Sequence, residues 1–95
     1  MKRNQNHISD VIKGFLREYE LDGRIREIEL VNKWEEIVGK SINRHTIKIF
    51  LSGKTLYLTL DSSVVRQELH YNKKKLLERI AETMGEELVK EVVLR

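Results

Sequence analysis

The sequence predicts an α+β protein, a two-layer sandwich in which helices cover one face of a three-stranded sheet. Two stretches of alternating apolar and polar residues around a glycine turn predict a β-hairpin over residues 46–61. Helical periodicity before and after the hairpin, followed by a β-branched segment at 89–94, gives the order α-α-β-β-α(α)-β. Because a helix separates the last strand from the hairpin, we expect that strand to return by a crossover and pair beside a hairpin strand.

The length and composition indicate one small globular domain. The chain has 95 residues, which we divide into a basic tail at 1–7 and a single domain at 8–95. Cysteine is absent, which excludes disulfides and thiolate zinc sites. No apolar run is long enough to cross a membrane, and no apolar segment of a secretory signal follows the basic start. We therefore expect a cytoplasmic protein without membrane contact.

Two helices are predicted before the hairpin. Apolar side chains at i, i+3, i+4 and i+7 predict the first over residues 8–19. The second is expected to run from Asp22 to Val38 and to end at Gly39, followed by a short connection at 40–45. The side chains that we expect it to bury are those of Leu21, Ile25, Ile28, Val31, Trp34 and Val38.

The hairpin register follows from its turn. Gly53, in Ser52-Gly53-Lys54-Thr55, suits the first central position of a two-residue type II′ turn. With that turn, opposite pairs are Leu51 with Leu56, Phe50 with Tyr57, Ile49 with Leu58, and Lys48 with Thr59. The expected buried face then holds Ile47, Ile49, Leu51, Leu56, Leu58 and Leu60. The opposite face holds Lys48, Phe50, Tyr57 and Thr59.

The segment after the hairpin predicts a helix and a strand. Asp61, Ser62 or Ser63 can cap the helix, and Gly85 closes it. Its apolar pattern is interrupted at residues 70–72, so we expect either a kink or two short helices. The final strand is predicted from Val89, Val92, Val93 and Leu94.

Positive charge is concentrated in the middle of the chain. The net charge is +3, but residues 40–79 hold nine Lys or Arg against three Asp or Glu. A localised basic surface is typical of proteins that bind polyanions, although an ordinary solvated helix face has the same composition. The residues that we predict to contact phosphates are Arg66, Lys73, Lys74, Lys75 and Arg79.

An aromatic pair on the polar face of the hairpin is the second candidate site. Phe50 and Tyr57, with Lys48 and Lys54 nearby, are placed to stack unpaired bases without regard to sequence. Other interpretations stay open. The pair can contact a protein, it can be covered by the predicted first helix, or it can serve only to stabilise the hairpin.

The sequence offers no catalytic or metal-binding pattern. His45 and His70 have no partner at ligand spacing, and His45 is expected to form a local hydrogen bond. Ser62 and Ser63 have the context of helix caps, and general acid–base catalysis would need a positioned partner. We therefore expect a binding protein, not an enzyme, with no cofactor and no metal.

Short motifs follow one another in a fixed order along most of the chain. They are Trp34-x-x-Ile37-Val38-Gly39, Ile42, His45-Thr46, Gly53-x-x-Leu56, Ser62-Ser63, Glu68-Leu69 and Leu76-Leu77. In this order and spacing, over roughly residues 10–95, the chain resembles the DciA family of bacterial domains. One departure is Val65, which lies near a position where the family often has an aromatic residue.

The resemblance implies a KH-like fold and a role as an operator or loader of the bacterial replicative helicase. The implied partners are that helicase and single-stranded DNA. KH domains grip nucleic acid with a Gly-x-x-Gly loop, which this chain lacks, so the usual KH binding mode is not implied. The alternatives are an RNA-binding accessory protein of ribosomes or RNA metabolism, and a pure protein adaptor.

Overall fold

The computed structural model describes residues 21–95, except for the side chains of Leu21 and Asp22. The elements in chain order are α1 (Leu21–Asn32), α2 (Trp34–Val38), α3 (Lys40–Arg44), β1 (Thr46–Ser52), β2 (Thr55–Leu60), α4 (Ser63–Tyr71), α5 (Lys73–Met84) and β3 (Glu91–Leu94). The predicted tail at 1–7 and the predicted first helix at 8–19 lie outside the described residues. No helix in the described part of the chain is both long and apolar enough to cross a membrane.

The predicted α+β architecture is confirmed. The sheet has three strands in the order β1-β2-β3, with β1 antiparallel and β3 parallel to β2. The helices α4 and α5 form the expected crossover between β2 and β3. Strand pairing of this kind is compatible with a KH-like fold. The third strand begins at Glu91, slightly later than predicted, and Val89 is buried ahead of it.

The hairpin has the predicted register from the turn as far as the pair of Lys48 and Thr59. Phe50 pairs with Tyr57, and Leu51 pairs with Leu56. Gly53 has a φ of +61°, in the left-handed region that the turn requires. Leucines of β2 therefore point to one face of the sheet, where the helices cover them. The buried core comprises Leu30, Trp34, Ile37, Leu51, Leu56, Leu58, Leu60, Val65, Leu69, Leu76, Ile80, Leu88, Val89 and Val92.

The predicted burial of Ile47 is wrong. A β-bulge shifts the register, so that Thr46 pairs with Leu60 while Lys48 pairs with Thr59. The extra residue leaves Ile47 63% exposed and turns Thr46 toward the core. There the Thr46 hydroxyl accepts a hydrogen bond from the indole N–H of Trp34 at 3.0 Å. The bulge thus supplies the acceptor that a buried tryptophan needs.

The predicted buried stripe of the second helix is also partly wrong. The helix is interrupted at Lys33, and the side chains that it buries are Leu30, Trp34 and Ile37. In contrast, Ile25, Ile28 and Val31 are each about half exposed, at 58%, 56% and 47%. Both stripes fit a helical period, so periodicity alone does not choose between them.

The orientation of α1 is fixed by a contact with the edge of the sheet. A carboxylate oxygen of Glu27 accepts a hydrogen bond from the backbone N–H of Leu51 at 2.8 Å. Since β1 is an edge strand, this N–H has no strand partner on its outer side. The contact holds the Glu27 side of α1 against β1, and one turn further on Leu30 enters the core.

The helical crossover begins, breaks and ends where the sequence predicts. The Ser62 hydroxyl accepts a hydrogen bond from the backbone N–H of Val65 at 3.2 Å and caps α4. The predicted interruption appears as two helices separated at Asn72. Gly85 ends α5 in the left-handed conformation, with a φ of +78°.

Candidate nucleic-acid interface

Within residues 21–95, which the structure describes, the sheet has one covered face and one open face. Side chains alternate along a strand, so residues between the buried leucines of β2 point away from the helices. We use the name open face for the sheet surface formed by Lys48, Phe50, Tyr57, Thr59, Val93 and Arg95, which strand pairing places together. The predicted aromatic site lies on this face.

The aromatic pair is formed as predicted. The ring centroids of Phe50 and Tyr57 lie 5.7 Å apart, with the ring planes tilted by 40°. Phe50 is 46% exposed, and Tyr57 is partly buried beneath its neighbours. Two rings at this separation and tilt stabilise each other, and the exposed edge and face of Phe50 stay available to a ligand.

A cation that the sequence analysis missed completes the site. The guanidinium carbon of Arg95 lies 4.9 Å from the centre of the Tyr57 ring, in a cation–π contact. The Arg95 backbone continues the sheet, since its N–H donates to Leu58 O at 2.8 Å and its carbonyl accepts from Leu60 N at 3.1 Å. Arg95 could have been predicted only from the register between β2 and β3, which the sequence does not specify.

The two lysines of the hairpin have different surroundings. Lys48 pairs with Thr59, and the residues on either side of Thr59 hold the backbone of Arg95. The side chain of Lys48 is exposed. Lys54 lies in the turn, where its ammonium donates to Glu87 O at 3.2 Å. The cationic end of the open face is therefore the end that carries Lys48 and Arg95.

The cationic helix does not share a surface with the aromatic pair. The helix α5 buries Leu76 and Ile80 against the leucine side of the sheet. Lys74, Lys75 and Arg79 are exposed on that helical layer, and Lys73 is partly buried. The predicted nucleic-acid residues thus lie on two opposite layers, and an extended strand would have to pass around the edge of the domain to touch both.

Arg66 forms hydrogen bonds to the sheet at the C-terminal ends of β2 and β3. Its Nε donates to Arg95 O at 3.1 Å, and its Nη2 donates to Leu60 O at 3.1 Å. These bonds tie α4 to the ends of two adjacent strands. Three of the five donors of a guanidinium remain for a ligand, but the side chain is only partly exposed.

Comparison with known proteins identifies the family. The family model described as "Dna[CI] antecedent, DciA" matches residues 7–94. The chain belongs to the DciA family. A curated relative, a "UPF0232 protein" of Corynebacterium glutamicum (strain R), is 32% identical over 63 residues, or 66% of this chain. The match spans 35% of that protein's length, so it concerns one part of a longer chain.

The positions that carry the DciA resemblance have structural roles in this chain. Trp34 and Thr46 form the buried hydrogen bond described above, and Ser62 caps α4. His45 forms the expected hydrogen bond, since its Nδ1 lies 2.7 Å from Asp61 Oδ1 across the base of the hairpin. Membership of the DciA family therefore fixes the fold of the domain, whereas the open face has to be assessed from its own geometry.

Proposed function

We propose that this protein is a non-enzymatic cytoplasmic accessory factor of DNA replication that binds the bacterial replicative helicase and single-stranded DNA. Membership of the DciA family supports the helicase part of the proposal. The observation that carries the DNA part is the strip of Phe50, Tyr57 and Arg95 on the open face, with Lys48 beside it.

The strip has the properties that a single strand requires. Bases stack on aromatic side chains regardless of their identity, and each stacked base contributes about 1–3 kcal/mol. In a duplex the faces of the bases are stacked on one another, so an aromatic platform favours unpaired strands. The positive charges of Lys48 and Arg95 lie together at one end of the strip, in position to contact a phosphate next to a base held at Phe50.

Fluorescence anisotropy with a labelled oligothymidine tests the DNA part directly. We expect Phe50→Ala to lower the affinity about 5- to 150-fold, since removal of one stacking surface removes about 1–3 kcal/mol. Tyr71→Ala is the matched control, because Tyr71 is 75% exposed on α4, away from the open face. Circular dichroism melts of each variant establish that the fold is retained.

The two variants separate the possible outcomes. A loss with Phe50→Ala and none with Tyr71→Ala supports the open face as the binding site. The reverse pattern would indicate that the single-stranded DNA binds in the cleft beside α4, which Arg66, Tyr71 and Leu94 help to line. No binding by the parent chain at low salt would contradict the DNA part and leave the adaptor alternative.

The salt dependence and the sugar preference refine the same experiment. For single strands, each phosphate contact adds about 0.7 to the slope of log K against log salt concentration. Lys48→Gln should therefore reduce that slope by about 0.7 if the lysine contacts a phosphate. An RNA oligomer of equal length is the comparison that separates DNA replication from RNA metabolism, and tighter binding of RNA would favour the latter.

A further inference from the structure

A groove on the helical layer is separate from the open face. It runs between α2–α3 on one side and α4–α5 on the other, and its volume is about 260 Å³. This volume is just below the range of about 300–1,000 Å³ of small-molecule pockets. The aliphatic residues that form its floor are Ile37, Val38, Ile42, Leu69 and Leu76.

Cations border this groove on the α5 side. Lys75 and Arg79 line it from α5, and both are exposed. On the other side, α3 contributes Ile42 to the floor. Among the residues that the structure describes, Lys75 and Arg79 take part in no ion pair, so their charge is available to a ligand.

We propose that this groove binds an acidic amphipathic helix of a protein partner. A helix presents apolar side chains at i, i+3, i+4 and i+7 along one stripe, and such a stripe fits an aliphatic floor. Acidic residues beside that stripe would face Lys75 and Arg79. Among the described residues, no aromatic side chain on which a base could stack lines this floor, whereas the open face has two. This difference favours a protein ligand over nucleic acid.

Glu68 and Asn72 distinguish one end of the groove. Glu68 lines it from α4 and Asn72 from the junction of α4 and α5, where the Asn72 amide donates to Glu68 O at 2.8 Å. The Glu68 carboxylate makes that end less favourable to an acid, so the acidic residues of the bound helix should cluster toward Lys75 and Arg79. Binding of this acidic helix does not require DNA binding at the open face.

A display library of helical 18-residue peptides tests the proposal. Leucine is fixed at the i, i+3, i+4 and i+7 positions, and the remaining positions vary among acidic, basic and neutral polar residues. We expect selection on the full chain to enrich Asp and Glu. Binding of the best peptide, made synthetically, should weaken at least tenfold with the Lys75→Glu, Arg79→Glu double variant. Lys74→Glu is the matched control on the opposite flank of α5 and should change the affinity less than twofold.

An exchange of charges between peptide and protein distinguishes a lost contact from a loss of folding in the double variant. A peptide with lysines in place of its acidic residues should bind the double variant more tightly than it binds the parent chain. Three results would overturn the proposal: no enrichment of acidic peptides, equal binding by parent and double variant, or displacement of the peptide by a single-stranded oligonucleotide. The last would assign the groove to nucleic acid.

Discussion

Thr46→Val is the substitution whose effect the structure defines most closely. The Thr46 hydroxyl accepts from the indole N–H of Trp34 at 3.0 Å and donates to the carbonyl of Ile42 at 2.6 Å. Valine has nearly the same shape and keeps the β-branch that suits a strand. The substitution therefore removes the two hydrogen bonds while leaving the packing volume almost unchanged.

The expected loss follows from the burial of the indole. Trp34 is 1% exposed, so its N–H would lose its partner in a region that water does not reach. A buried donor left unpaired costs about 1–3 kcal/mol. We expect the free energy of unfolding to fall by about 2 kcal/mol, a change of about 30-fold in the unfolding equilibrium constant. For a domain of this size the midpoint temperature should fall by about 8–16 °C.

Urea unfolding followed by tryptophan fluorescence measures this effect. Trp34 is the one tryptophan in the chain, so the signal comes from the residue that loses its partner. Thr59→Val, on the partly exposed open face, is the matched control and should change stability by less than about 0.5 kcal/mol. A loss below 0.5 kcal/mol for Thr46→Val, with an unchanged denaturant slope, would refute the role assigned to the bulge.

Four further substitutions test local features of the fold. Ser62→Ala removes the cap of α4 and should lower the free energy of unfolding by about 1 kcal/mol in the same urea assay. Glu27→Ala removes the acceptor at the edge of β1, and hydrogen exchange at the Leu51 amide should become faster while the core amides change less. Gly85→Ala should lower stability by about 1 kcal/mol, because the φ of +78° is unfavourable to alanine, although no side chain from elsewhere in the described residues lies within 4 Å of the added methyl group. Gly23→Ala in α1, also in open space but without a positive φ, should raise stability by about 0.5–1 kcal/mol, and an equal effect at the two glycines would contradict this reasoning.

Local signals in the sequence predicted most of the fold. The hairpin register followed from Gly53 and from the alternation on both sides of it, and the crossover boundaries followed from Ser62 and Gly85. In these cases the structure is decided by residues close together in sequence. The parallel pairing of β3 with β2 was not specified by the sequence, because both hairpin strands were possible partners.

The errors arose where a distant contact decided the outcome. The bulge at Ile47 depends on the hydrogen bond between Thr46 and Trp34, which are twelve residues apart. The buried side of α1 depends on the contact between Glu27 and Leu51. Periodicity shows that a helix has an apolar side. Where two apolar stripes overlap, as in α1, only the surface against which the helix packs decides which stripe is buried.

The candidate site was predicted only in part for the same reason. Phe50 and Tyr57 were found because they are paired within one hairpin. Arg95 was missed, since only the register of a distant strand places it over Tyr57. Charge density along the sequence grouped Lys48 with Lys74, although the sheet and the helices place them on opposite layers.

The most direct test of the account is an affinity pull-down of the tagged chain from an extract of its native host. The extract is divided into nuclease-treated and untreated halves, and mass spectrometry identifies the bound proteins in each. The account predicts that the replicative helicase is retained in both halves, because a protein contact does not need a nucleic-acid tether. Loss of every partner after nuclease treatment, with ribosomal proteins prominent in the untreated half, would contradict the account and favour a role in RNA metabolism.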